Sequence, residues 1–368
     1  MKNILKNHHV QMILFVLIAV VAVHFGAIDP AEAAMLGFLG STIGNTAPTL
    51  IDLASRMDKE GNIDVIIEML AETNEIIQDM PWVEANDGTT HKTTVRSGLP
   101  NSEWRLLNYG VQPSKSTTVP IKDSTGMLEA YAEVDKSLAD LNGNAPAFRL
   151  SEDRAFIESM NQNFATTLIY GNVGTNPERF HGLAPRFSQL SAENGENILD
   201  AGGTGSDNTS IYLVVWGENT IHGIYPKGTQ AGLHHRDLGE KTLIDAAGGK
   251  YQGYRSHYKW DPGLTLRDWR YVVRIANIDV TALKKDAASG ADLIDLMVQA
   301  QELIPNAGMG KPVFYCNRKI RSFLRRQITN KDNVNLTLDT VAGKKVVQFD
   351  DVPVRKVDAI LNTEARVV

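Results

Sequence analysis

This sequence has little of what most function classes require. It holds a single cysteine, Cys316, in 368 residues, which excludes internal disulfides and any cysteine-clustered metal site. It has no basic excess either. Its 37 lysines and arginines stand against 43 aspartates and glutamates, a formal net charge of −6, whereas broad capture of nucleic acid needs the opposite balance. Any contact with DNA is therefore expected to be local and weak. No G-x-S-x-G elbow and no H-E-x-x-H helix occurs, so nucleophilic hydrolysis and zinc proteolysis lack sequence support. The uninterrupted apolar run over residues 12–23 falls short of the roughly 20 residues that span a bilayer. No stable membrane association is expected.

Weaker chemical signatures read as structure. GGTGSD at 202–207 lacks the Lys-Ser/Thr ending of a phosphate loop and the glycine spacing of a dinucleotide fingerprint, so it reads as a flexible loop. His234 and His235 beside Asp237 are adjacent and cannot both ligate from one helix face. Cys316 lies in the apolar run PVFYC, where a buried, inert thiol is expected. Arg318, Lys319, Arg321, Arg325 and Arg326 make a basic helix, read as a solvated or salt-bridging face rather than a nucleic-acid contact. No catalytic residue, cofactor site or metal site emerges.

What is present describes a globular chain. At 43% hydrophobic and 22% charged it can bury a sizeable core, and its length allows two domains. Lys2 and Lys6 precede the apolar run, and AIDPAEAA follows it, so residues 1–34 have the form of a signal peptide. A start misassigned upstream of Met35, or an extension removed on maturation, are the alternatives. Residues 35–48, rich in glycine and threonine, read as an extended arm. Leu50, Leu53 and Met57 mark one short helix, and Ile63, Ile67, Leu70, Asn74 and Ile77 a second that stops before Pro81.

Residues 89–125 place the passage SGLPNSEWRLLNYGVQPS between two threonine-rich, strand-like arms. That is a long hairpin. An isolated two-stranded hairpin is marginal in water, so it rests on its own body or on a neighbouring chain, with Trp104, Leu106, Leu107 and Tyr109 as the contacts. Residues 127–143 read as helical. Ser151 is the expected N-cap of a longer helix to Tyr170, with Phe156, Met160, Phe164 and Leu168 on one stripe. A domain boundary falls near Arg186. SIYLVVW and TIHGIYP read as strands, as does residues 260–279, whose period of two sends Trp269, Tyr271, Val273 and Ile275 to a core and displays Arg270 and Arg274 on the other face. A helix over 291–304, a strand over 312–316, a helix capped by Asn317 and a hairpin turned at Asp350-Asp351 complete a mixed α+β chain.

Six separated blocks, in order, carry a family resemblance: LSEDRAFIESMNQNFATTLIYGN, NPERFHGLAPRF, TGSDNTSIYLVVWGENTIHGIYPKG, DWRYVVRIANID, GMGKPVFYCNRKIR and VPVRKVDAILNTEARV. Together they resemble the major capsid protein of short-tailed (podovirus-type) bacteriophages, from about Thr49 to the end. The resemblance implies the Hong Kong 97 phage-type fold. On it, 35–88 would be the N-terminal arm and helices, 89–125 the extended loop, 126–185 with 328–368 the peripheral domain with its long spine helix, and 186–327 the axial domain. It implies a structural, self-assembling protein of an icosahedral virion shell, partnered by itself as pentamers and hexamers. Scaffolding, portal and decoration proteins and weakly held packaged double-stranded DNA would be further partners, with assembly in the host cytoplasm. Trp104, Leu106, Leu107, Tyr109, Arg270 and Arg274 are then the expected subunit-interface residues. Two other classes stay open: a secreted or periplasmic binding protein or hydrolase using the signal-like start, and an encapsulin-type compartment on the same fold.

Overall fold

The computed structural model describes residues 72–141, 145–245, 247–283, 292–328, 336–341 and 344–368. The signal-like segment, the glycine-rich arm, the first short helix and the start of the second lie outside the described residues; at the end of the second only Ile76–Asp79 is helical, and Asn74, expected on its stripe, pairs with Val357 in a β-bridge instead.

In chain order the strands are β1 (Trp82–Glu84), β2 (Thr90–Gly98), β3 (Thr117–Ser124), β4 (Leu128–Asp135), β5 (Ile198–Asp200), β6 (Asn208–Trp216), β7 (Ile221–Tyr225), β8 (His234–Ile244), β9 (Lys250–Trp260), β10 (Gly263–Leu266), β11 (Val272–Asp279), β12 (Lys311–Cys316), β13 (Leu336–Val341), β14 (Lys344–Phe349) and β15 (Val352–Lys356). The longer helices are α1 (Ala145–Tyr170), α2 (Leu293–Glu302) and α3 (Arg318–Ile328). Among the described residues the chain forms two compact units, a smaller one of 131–156 and 235–257 and a larger one holding the rest. Arg186 lies within the larger.

The larger unit is built on a ten-stranded sheet ordered β1-β7-β6-β12-β15-β14-β13, with β10 on β7, β11 on β6, and β5 on β11. Its central strands β6 and β11 are buried along almost their whole length, polar residues included, because both faces are covered. Tyr212, Val214, Trp216, Val272, Val313 and Tyr315 pack on one face with Phe164, Leu168 and Ile169 from the end of α1. Ile211, Leu213, Val273, Ile275, Phe314 and Cys316 pack on the other with Met297 of α2 and with Ile320, Phe323 and Leu324 of α3. Both covering helices start where the sequence provides a cap. Asp292 accepts from the Ile294 and Asp295 amides, and Asn317 Oδ1 from the Lys319 amide at 3.0 Å. Burial pushes the Cys316 thiol up to about 12, so it is the inert core residue expected.

The smaller unit has a small core of Val134, Leu138, Ala139 and Phe148, and its residues come partly from a three-stranded sheet ordered β4-β9-β8. Ion pairs do much of the joining there: Arg149–Asp237 at 2.6 Å, Arg255–Glu133 at 2.6 Å and Lys136–Glu240 at 2.8 Å. On β8 most side chains are exposed and only Leu243 is buried. His234, His235 and Asp237 all lie on that strand.

Three expectations are corrected. Residues 128–135 form strand β4 rather than helix, and only Lys136–Asp140 is helical. The Leu, Glu and Ala content suggested a helix, but burial rises at Ala132 and Val134, and pairing with β9 overrides local propensity. Helix α1 begins at Ala145, not at Ser151. Pro146 sits in its first turn, where a missing N–H costs nothing, and the Ser151 hydroxyl donates to the Phe148 carbonyl oxygen at 2.9 Å instead of capping. Residues 260–279 are not one strand. They comprise β10, a 3-10 turn at Trp269–Tyr271 and β11, and β11 is buried on both faces.

Candidate functional site

Strands β2 and β3 pair in antiparallel register from Thr90↔Ser124 to Gly98↔Thr117, with a bulge between Arg96 and Gly98. Nine residues of strand carry the hairpin about 30 Å. Beyond it the chain closes its own end: Ser114 Oγ donates to the Asn101 carbonyl oxygen at 2.7 Å, and the Tyr109 amide to that of Leu106 at 3.2 Å. The tip does not fold back. Trp104 is 104% exposed, Leu107 84%, Leu106 72% and Tyr109 69%, and Leu99 and Val111 are exposed beside them. Covering such side chains is worth roughly 1.5–3 kcal/mol each, so a cluster of this kind marks an interaction surface.

The foot of the hairpin is the opposite, polar and buried. The Arg186 guanidinium donates to Asp123 Oδ1 at 2.7 Å and to the His181 and Leu264 carbonyl oxygens at 3.2 Å. The His91 and His222 rings meet edge to face at 5.6 Å. Around them His91 Nδ1, Thr93 Oγ1, Thr265 Oγ1 and Asp123 Oδ2 are buried without a hydrogen-bond partner among the described residues, an unusual concentration of unsatisfied groups. Burial, reinforced by His91 and Arg267, pushes His222 down to about 4, and burial also lowers His91 and His181. All three rings are therefore held neutral at physiological pH. Gly263 lets β10 approach this foot: a Cβ there would stand 2.9 Å from the Ser124 carbonyl oxygen.

The two arginines expected at an interface part company. Arg270 is exposed and forms a bidentate pair with Asp268, Nε to Oδ1 at 3.0 Å and Nη2 to Oδ2 at 2.7 Å. Arg274 is only 4% exposed, not displayed on an open face as the alternation suggested. The second face of β11 is covered by the core that includes Phe164 and Leu168, so the guanidinium must find its partners inside. It donates to Ser210 Oγ at 3.1 Å, the Phe187 carbonyl oxygen at 2.7 Å and Glu364 Oε2 at 2.9 Å, and lies over the Tyr212 ring. Glu364 also accepts from the Ser210 and Tyr170 hydroxyls. Nearby, Asn277 grips the chain end: its side chain donates to the Val367 carbonyl oxygen at 2.9 Å and accepts from the Val367 amide at 2.8 Å.

This clasp escaped the sequence reading. The only signal was an arginine within an apolar strand, and its partner lies 90 residues further on. The histidine foot was missed for the same reason, since β2, β3, β7 and β10 each contribute one or two of its residues. Among the described residues no group of three or more histidine, cysteine or carboxylate side chains could hold a metal ion, and no helix is long and apolar enough to cross a membrane.

Comparison with known proteins follows the same direction. The family model described as major capsid protein GP7 matches residues 58–368. A chain of the near-atomic cryo-EM structure of bacteriophage Epsilon15 superposes at a TM-score of 0.70 with 43% identity, over 89% of this chain and 99% of that one. The bacteriophage JBD30 capsid gives a TM-score of 0.45 at 10% identity, over 90% and 99%. The SrpI encapsulin complex from Synechococcus elongatus gives 0.39 at 12%, over 69% and 97%; at these scores neither bears on the assignment. No curated protein sequence matches the chain. A mixed helix–sheet subunit with this likeness to a bacteriophage chain belongs to the class of phage shell proteins. The chain is a member of the major capsid protein GP7 family, a structural protein of the virion, and the secreted-protein and encapsulin readings are not favoured.

Proposed function

We propose that subunits of this chain join through the hairpin tip, with Trp104, Leu106, Leu107 and Tyr109 seated on a neighbouring copy and Arg270 available at the rim of a contact. The observation that carries this reading is the cluster of large apolar side chains at the tip, nearly all of their surface open to water. On the same reading 89–125 is the extended loop, and it contains β2 and β3; 126–185 with 328–368 is the peripheral domain, and it contains α1 as its spine helix; 186–327 is the axial domain; and 35–88 is the N-terminal arm with its helices. Shells of this kind close from pentamers and hexamers in the host cytoplasm, with scaffolding, portal and decoration proteins as partners and packaged double-stranded DNA held weakly. A standard interface buries roughly 1,600 Å², and most of its gross gain is offset by ordering and desolvation. Modest contacts repeated around closed rings are enough.

The experiment is to express the full chain, and the chain starting at Met35, in bacterial cytoplasm and examine the soluble product by sizing chromatography and negative-stain electron microscopy. Closed shells, rings or tubes are expected. A folded subunit that stays monomeric at high concentration and with candidate scaffolds present would overturn the reading, and comparing the two chains reports what residues 1–34 do to closure.

A further inference from the structure

We infer that one face of the β2–β3 hairpin is a basic docking surface for an acidic face of a second copy of this chain, so that charge steers the subunits together; the inference rests on the reading that the hairpin tip seats on a neighbouring copy. Residues 89–125 hold five cations, Lys92, Arg96, Arg105, Lys115 and Lys122, against two carboxylates, a net charge of +3. The whole chain carries −6, so everything outside the hairpin carries −9. Of the two carboxylates only Glu103 faces water, because Asp123 is buried at the foot in its pair with Arg186.

The register of the hairpin creates this face. Lys92 stands opposite Lys122, Thr94 opposite Pro120 and Arg96 opposite Thr118, and a period of two puts all six on one side of the ribbon. Each of the six is exposed, while the other side buries His91, Thr93 and Asp123 at the foot. Like charges directly opposite each other across a ribbon are unfavourable. Among the described residues Asp87 pairs with Lys92 at 2.7 Å, and no carboxylate forms an ion pair with Lys122 or Arg96. An acidic surface arriving from outside would relieve that repulsion. Double-stranded DNA is the competing partner, and two observations favour protein. The same arm ends in Trp104, Leu106, Leu107 and Tyr109, and apolar anchors within a charged surround are the anatomy of a protein interface. The complementary charge also lies in the chain itself, so every neighbouring copy brings it.

The test returns dissociated full-length subunits to assembly conditions at about 0.05 and about 0.5 M salt, where charge is felt over about 14 Å and about 4 Å respectively. Light scattering follows the rate and negative-stain microscopy the product. Joint Arg96→Glu and Lys122→Glu substitution should slow assembly roughly tenfold against wild type at the lower salt, and the gap should close at the higher. Joint Lys241→Glu and Lys250→Glu substitution, at exposed positions of β8 and β9, gives the same net charge and should slow assembly far less. Lys122→Glu also sets opposite charges across the ribbon from Lys92, so subunit stability in denaturant should hold or rise while assembly slows, a combination that a purely structural role would not produce. Equal rates for wild type and the hairpin variant at low salt, or an equal loss in the Lys241 and Lys250 variant, would overturn the inference. So would a hairpin variant with destabilised subunits, because its cations would then be answered within their own chain. A hairpin variant that assembles normally but binds a short duplex less tightly in fluorescence anisotropy would also overturn it, by assigning the face to DNA. Wild type that never assembles would sink the reading of the tip and this inference together, whereas wild type that assembles without these differences sinks the inference alone.

Discussion

The Arg274 clasp and the hairpin tip both draw on residues expected at a subunit contact, yet they end in opposite states. At Arg274 the chain meets its own needs: the guanidinium, Glu364, Ser210 and the Phe187 carbonyl oxygen satisfy one another out of reach of water. At the tip nothing among the described residues answers Trp104 or Leu107. A saturated group stabilises the subunit, whereas an unsaturated apolar one stores its free energy until a partner arrives. On the proposed reading, the first kind of site sets whether the subunit folds and the second whether it assembles.

Separating folding from assembly is therefore the sharpest way to test this contrast. The largest effect is expected at Arg274. Arg274→Met strands the Glu364 carboxylate in the core and should cost about 3–5 kcal/mol in denaturant unfolding of dissociated subunits. Adding Glu364→Gln should recover part of it, and no recovery would mean the pair is not the dominant loss.

Next is acid at the hairpin foot. His222 ionises near 6.5 in the unfolded chain and about 4 in place. The neutral foot is thus fully stable above 6.5 and weakens as pH falls toward 4, since only the unfolded state takes up the proton there. Complete protonation linkage amounts to ~3 kcal/mol. Hydrogen exchange over residues 90–124 should accelerate across that window in wild type and far less in His222→Gln. Equal acceleration in both would clear His222 of the effect.

Trp104→Ala should leave subunit unfolding within about 0.5 kcal/mol of wild type while weakening each contact by roughly 2 kcal/mol if the tip is a hot spot; sedimentation would show subunits accumulating at the expense of shells. Loss of subunit stability instead would mean the tip packs at home. The smallest effect is expected at Arg270. Its exposed pair with Asp268 is worth less than ~1 kcal/mol, so Arg270→Ala should unfold like wild type, and an assembly defect in it would extend the interface from the tip to that turn.

Legibility in the sequence followed the range of the interactions. The hairpin of β2 and β3, the capped start of α3, the strands β6, β7 and β12 and the terminal hairpin β14–β15 rest on alternation, caps and turn residues a few positions apart, and these were readable. Strand β4 was not, because LEAYAEVD has helix-forming composition and only its pairing with β9 makes it a strand. The tip residues were legible as large apolar groups in a turn-rich passage. That they are uncovered among the described residues depends on tertiary placement, which no short-range pattern states.

By itself the sequence determined the mixed α+β class, the buried state of Cys316, the hairpin and the family, since each follows from residue type and short-range order. Only the tertiary structure decided that the second face of β11 is covered. A period of two names two faces but cannot say whether either meets water, and that depends on where α1 and the tail carrying Glu364 return to the sheet. Arg274, read as displayed, is buried for that reason.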